Sequence, residues 1–151
     1  MSRRIILGST AALVVLGGAG AFALAHAGEQ RPVLDNSTAR YQAPATDREG
    51  SFTFTTDVTA DSGVKGLKVL AWPANSPTVA KNPLTGKDLA AVESATCKPT
   101  GDDTARCTYK VTVTAAEAAE SAKGRWHVAT LATADDGDTA FDAKTATFTV
   151  D

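Results

Sequence analysis

Ser51-Phe52-Thr53-Phe54-Thr55-Thr56-Asp57-Val58-Thr59 alternates with a period of two. Phe52, Phe54, Thr56 and Val58 fall on one face of an extended chain, and Ser51, Thr53, Thr55, Asp57 and Thr59 on the other. That pattern specifies an antiparallel strand with one face on a core and one in water. Cys107, Tyr109, Val111 and Val113 alternate in the same way against Thr108, Lys110, Thr112 and Thr114. Between these two strands, the turn residues Asp61-Ser62-Gly63 lead into a third, from Val64 to Trp72, which ends at Pro73.

Working outward, Arg125 to Ala134 reads as a strand with Trp126, Val128, Thr130 and Ala132 on one face. Asp135-Asp136-Gly137-Asp138 turns the chain into a last strand from Thr139 to Val150. In that strand Phe141 has odd parity, while Ala146, Phe148 and Val150 are even, so a bulge is expected near Ala143 to Thr145. Thr114-Ala115-Ala116-Glu117 matches a capping box and predicts a short helical turn near 115–122, stopped at Gly124. Pro73 to Gly86 carries Pro73, Pro77 and Pro83 and is expected to be a long loop. Asp88 to Cys97 reads either as an edge strand or as a helical turn. The polar stretch 28–50 is expected to be a flexible leader with one first strand near Val33 to Tyr41. The sum is an all-β chain of six to seven short strands, an antiparallel β-sandwich occupying residues 51–151.

Residues 1–27 read as a signal peptide. Arg3 and Arg4 form a positive start, the stretch from Ile5 to Ala25 holds no charged side chain, and Ala25-His26-Ala27 is an A-x-A exit. Cleavage between Ala27 and Gly28 is expected, with Ala23-Leu24-Ala25 as a competing exit. The alternative is a retained membrane anchor, since the uncharged stretch is long enough to span a bilayer. The route is either secretory or twin-arginine, because Ser2-Arg3-Arg4-Ile5-Ile6-Leu7 also fits the latter. The expected location is extracellular or envelope-associated.

The 151 residues carry a net charge of −2, which excludes the basic footprint of a nucleic-acid binder. Without Arg3 and Arg4, 13 basic residues face 17 acidic ones. Two cysteines and two histidines are too few for a Cys/His zinc site. In an oxidising compartment Cys97 and Cys107 should form a structural disulfide, closing a loop of about 11 residues worth about 2.5–3 kcal/mol in the chain-entropy model. Their spacing is not the C-x-x-C of a redox pair.

Asp61-Ser62-Gly63-Val64-Lys65-Gly66-Leu67-Lys68-Val69 resembles the early hairpin of bacterial immunoglobulin-like extracellular domains. Gly124-Arg125-Trp126-His127-Val128, with Ala134-Asp135-Asp136-Gly137-Asp138, resembles their late hairpin, and Thr147-Phe148-Thr149-Val150 their closing strand. The resemblance covers Ser51 to Asp151. It implies an immunoglobulin-like sandwich within a small secreted actinobacterial family of unknown function. The cysteines lack the wide separation of an antibody-type disulfide, and Trp126 stands where such domains often have tyrosine.

Chemistry is sparse in this sequence. His127 lies on a strand with no G-x-S-x-G elbow or comparable nucleophile motif anywhere, so no enzyme activity and no cofactor are expected. Asp135, Asp136 and Asp138 offer oxygen ligands of the kind calcium takes, but without the EF-hand spacing. Turn chemistry accounts for them equally, and no metal is expected. Leu70 and Trp72 fall opposite Leu67, Val69 and Ala71, which makes them the candidate binding residues, an outward apolar stripe beside the proline-rich loop. The competing reading makes Trp72 the core tryptophan of the sandwich. The threonine-rich faces (Thr53, Thr55, Thr59; Thr108, Thr112, Thr114) suit solvated strands.

The expectation is thus a secreted, non-enzymatic immunoglobulin-like module that binds at the cell surface or to an extracellular polymer, with a cell-wall polymer or an extracellular protein as partner. Membrane contact would come only through the signal segment. The alternatives are a purely structural envelope domain, or a small protease inhibitor presenting the loop Pro73 to Gly86.

Overall fold

The alternating stretch forms strand β2 (Gly50–Thr59) of a computed structural model that describes residues 30–151. The signal-peptide reading, with its cleavage at Ala27 and Gly28, lies outside the described residues. Strand β2 is flanked by β1 (Val33–Gln42) and β5 (Thr104–Val113), and β5 carries the short edge strand β4 (Thr96–Pro99). The second sheet orders β3 (Val64–Pro73), β6 (Gly124–Ala134) and β7 (Thr139–Val150). All pairings are antiparallel. The two orders, β1-β2-β5-β4 and β3-β6-β7, are the ABED and CFG arrangement of a constant-type immunoglobulin sandwich. The fold is an all-β sandwich.

Period-two patterning puts Phe52, Phe54 and Val58 of β2 inside. They meet Leu67 and Val69 of β3, Cys107 of β5, and Val128 and Ala132 of β6. Burying each of the larger side chains contributes about 1.5–3 kcal/mol. Thr56 shares this inward face with no exposed surface, and its polarity is answered locally. Its hydroxyl donates to the Asp35 carbonyl (3.0 Å) and shares a hydrogen bond with the Ser37 hydroxyl (2.8 Å).

Both partners of Thr56 sit at a bulge in β1. Asp35 pairs with Asp57 and Thr38 with Thr55, so three steps of β1 match two of β2. Asn36 takes φ 54° there, a conformation that asparagine tolerates better than most residues. The extra residue switches parity, so that Leu34 before it and Ala39 after it both pack on the core. The first strand expected near Val33 to Tyr41 is thus present as β1, ten residues long, and it pairs along β2 as part of the four-stranded sheet.

The last strand has its expected irregularity. Val128 pairs with Ala146 and Thr130 with Asp142, so four steps of β7 match two of β6. Two extra residues leave parity unchanged. Phe141 keeps its odd parity because it faces outward, onto a second apolar cluster.

That second cluster overturns the loop reading of Pro73 to Gly86. The segment between β3 and β4 forms helices α1 (Pro77–Lys81) and α2 (Gly86–Leu89) and folds back over the outer face of the three-stranded sheet. Ser76 caps α1 by accepting from the Val79 amide, with Pro77 in the first turn. The Asp88 carboxylate accepts from the Thr85 amide (2.7 Å) and hydroxyl (2.8 Å), fixing the entry to α2. The ambiguous stretch after it resolves as a helical turn at Leu89, followed by the edge strand β4.

Helix α3 (Ala115–Glu120) has the expected capping box: the Thr114 amide donates to Glu117 (2.8 Å) and the Glu117 amide donates to the Thr114 hydroxyl (3.2 Å). It ends at Glu120, two residues short of the expected Ala122, with Ser121 as its C-cap. There the chain turns extended, and the Trp126 indole donates to the Ala122 carbonyl (2.8 Å). Cys97 and Cys107 stand directly opposite each other in register and form a disulfide, with Cα atoms 4.0 Å apart. It ties the edge strand β4 to β5 within one sheet, unlike the inter-sheet bridge of antibody domains.

Candidate functional site

The sequence placed Leu70 and Trp72 opposite Leu67 and Val69, and the structure does the same, yet the stripe is not exposed. Trp72 is only 9% accessible and packs with Leu89 and Ala129, while Leu70, Val79, Leu84, Val92, Leu131 and Phe141 close around them. The Trp72 indole donates to the Ala143 carbonyl at 3.0 Å, which leaves it no free polar handle for a ligand. The expected binding stripe is thus corrected: the strap over residues 74–95 covers it. Nor is Trp72 the tryptophan between the two sheets, since its cluster lies outside the sandwich core. Lys68 fastens the strap by donating to the Val92 carbonyl (2.8 Å), and the Ala95 amide donates to the Leu67 carbonyl (2.8 Å).

His127 borders this cluster, its ring 4.8 Å from that of Trp72. Burial lowers its pKa, with smaller contributions from Lys144 and Arg125. Its Nδ1 is buried without a hydrogen-bond partner, so neither a carboxylate nor a hydroxyl orients the ring for base catalysis.

Asp135, Asp136 and Asp138 serve the β6–β7 turn. The Asp136 carboxylate accepts from the Asp138 amide (3.0 Å), the Asp136 amide donates to Ser62 (3.2 Å), and the Asp135 amide donates to the Gly63 carbonyl (3.0 Å). Gly63 takes φ 99°, where an added Cβ would collide with the Asp135 carboxylate. Among the described residues, no group of three or more His, Cys, Asp or Glu side chains is arranged to hold a metal ion. An open depression of about 330 Å³ lies between the β1–β2 turn (Pro44 to Glu49) and the start of α3 (Thr114, Ala115).

The outer face of the four-stranded sheet is different in kind: among the described residues no segment crosses it in the way the strap crosses the other sheet. Register builds a row of threonines across all four strands, Thr38, Thr55, Thr108 and Thr96. At strand spacing the row is about 14 Å long. On one side, about 7 Å away, lie Arg40, Thr53 and Lys110; on the other lie Asp35, Asp57, Arg106 and Lys98.

Arg106 grips Asp57 with two charge-assisted bonds, 2.8 and 2.9 Å, and the Asn36 amide donates to the same carboxylate at 3.0 Å. These bonds, the Arg106 bond foremost and the Asn36 bond next, lower the Asp57 pKa to about 2. Among the described residues this is the only ion pair within 4.0 Å, so Arg40, Lys98 and Lys110 are left without acidic partners.

The sequence had marked Thr53, Thr55, Thr59, Thr108 and Thr112 as solvated. It had placed Lys110 beside Thr108 and Thr112, and had missed Thr38, Thr96, Arg40 and Lys98. One signal was available: with Cys97 opposite Cys107 in an antiparallel pair, Thr96 must oppose Thr108 and Lys98 must oppose Arg106. Thr114, grouped with the threonine face, is instead the cap of α3.

No helix of the described residues is long and apolar enough to cross a membrane, and the disulfide is compatible with an extracellular protein. Neither the curated proteins nor the solved structures provide a match to this chain. The profile of a family of unknown function, DUF5707, matches residues 34–132, from β1 into β6. With about two thirds of its length matched, the chain belongs to the DUF5707 family.

Proposed function

We propose that this protein is an exported, non-enzymatic sandwich domain that binds at the cell surface to an extracellular polymer. Its contact surface in this reading is the outer face of the four-stranded sheet. The supporting observation is the asymmetry between the two outer faces. One is covered over part of its area by a strap with its own apolar core, down to Trp72 at 9% accessibility and Leu89 at 0%, while Arg125, Thr147 and Thr149 beyond it stay exposed. The other is flat, polar and open, with threonine hydroxyls and unpaired cations presented in register. Ordered strands hold those side chains at fixed spacing, so little conformational entropy is lost when a polymer settles on them. Export rests on the signal-like residues 1–27 and fits the disulfide.

The test is co-sedimentation of the purified protein with insoluble cell wall, chitin and cellulose. Depletion from the supernatant by at least one of them is expected. A protein that stays fully soluble with all three contradicts the reading.

A further inference from the structure

We infer that the open face of the four-stranded sheet binds an extended, hydroxyl-rich polyanion laid along the threonine row. This rests on the reading of that face as the contact surface and adds the chemistry of its partner.

Charge placement carries the inference. The chain is acidic overall, but its carboxylates are concentrated elsewhere. Asp61, Asp102, Asp103, Asp135, Asp136 and Asp138 occupy the β2–β3, β4–β5 and β6–β7 turns. These turns share one end of the sandwich, joined by the Ala60 amide to the Asp103 carbonyl (2.8 Å) and the Asp135 amide to the Gly63 carbonyl (3.0 Å). The open face instead holds Arg40, Lys98, Arg106 and Lys110 against Asp35 and Asp57. Arg106 already neutralises Asp57, so the charges left to act are Arg40 and Lys110 on one flank of the row, and on the other Lys98, with two strands between it and Asp35, the β1 partner of Asp57, so that the face as a whole carries a net excess of positive charge.

A linear polymer along Thr38, Thr55, Thr108 and Thr96 would run between these flanks. Its hydroxyls would meet the threonine hydroxyls, and its repeating anions would lie within reach of lysine and arginine side chains on either side. Exposed pairs of this kind are individually weak and screened by salt, so affinity comes from several made together. Phosphate-bearing and carboxylate-bearing polymers share the required chemistry.

The experiment measures binding to immobilised dextran phosphate, alginate and neutral dextran. The wild type is expected to bind one or both polyanions, to weaken as salt rises from about 20 to about 200 mM, and not to bind dextran. The polyanion retained identifies the anion. Lys98→Glu/Lys110→Glu should weaken binding about tenfold or more, and Lys98→Gln/Lys110→Gln, which carries less risk to folding, should weaken it less but in the same direction. Arg125→Glu/Lys144→Glu makes the same charge change away from this face and should alter binding by less than about twofold. Equal losses in the two charge-reversed variants, equal binding to dextran, or no binding to either polyanion would overturn the inference. Sedimentation with cell wall that survives Lys98→Glu/Lys110→Glu, alongside no polyanion binding, would spare the binding role and reject only the polyanion. Polyanion binding lost in that variant, without sedimentation on any insoluble polymer, would do the reverse.

Discussion

Asn36, Asp57 and Arg106 lock the β1 bulge to the open face. Asn36 adopts the left-handed conformation that the bulge requires and turns its amide onto the Asp57 carboxylate, which Arg106 holds from the other side. Because Asp57 titrates at about 2 in the folded chain, against an ordinary 3.8, the folded state binds fewer protons than the unfolded state between those values. The stability it contributes is therefore present above about pH 3.8 and is lost as pH falls toward 2. Arg106→Gln should lower the thermal midpoint at about pH 7, and its gap from the wild type should close near pH 2. An unchanged gap at the lower pH would mean that the pair is not what Arg106 supplies. None of this was legible in the sequence. Asp57 read as one more polar residue on an alternating strand, since its partners are fixed by register with β5 and by a bulge that no periodicity announces.

The strap over the three-stranded sheet shows how far patterning reaches at the level of an element. Parity assigned Leu70 and Trp72 to the face opposite Leu67 and Val69, because strand geometry allows only two faces. What it could not show was the cover. Val79, Leu84, Leu89 and Val92 are scattered through a proline-rich stretch with neither period two nor period 3.6, so each reads alone as a loop residue. The last strand was misread in a related way: Phe141 broke parity because it belongs to this second cluster, and the bulge beside it inserts two residues. Capping was legible at α3, where Thr114 and Glu117 meet in sequence, but the end of the helix was set by Trp126 from the next strand.

If the strap is a packed element, Leu89→Ala should cost about 2–5 kcal/mol and loosen the cover. In a Trp126→Phe background, emission from Trp72 should be that of a buried indole and should shift to the red when Leu89→Ala is added. Emission already typical of a solvated indole before that change would return Trp72 to the surface.

For the whole molecule, the number of strands and the sandwich class were written in alternation and in the turn residues between strands. A first strand near Val33 to Tyr41 was legible too, but not its place in the sheet, since its bulge breaks β1 into pieces too short to show a period. Strand order was also out of reach, because pairing of β1 with β2 and of β2 with β5 depends on which apolar faces meet in three dimensions. That order places six carboxylates in the turns of one end, sets Arg40, Lys98, Arg106 and Lys110 around the threonine row, and lays the strap over part of the opposite outer face. Among the described residues, the four-stranded sheet offers a partner the outer face that no segment crosses.

Lysine acetylation with and without insoluble cell wall, read residue by residue by mass spectrometry, tests that claim most directly. The wall should protect Lys98 and Lys110, while Lys87 on the strap and Lys144 on β7 stay as reactive as in the free protein. Protection of Lys87 or Lys144 with Lys98 and Lys110 still reactive would place the contact on the strapped face and contradict the account.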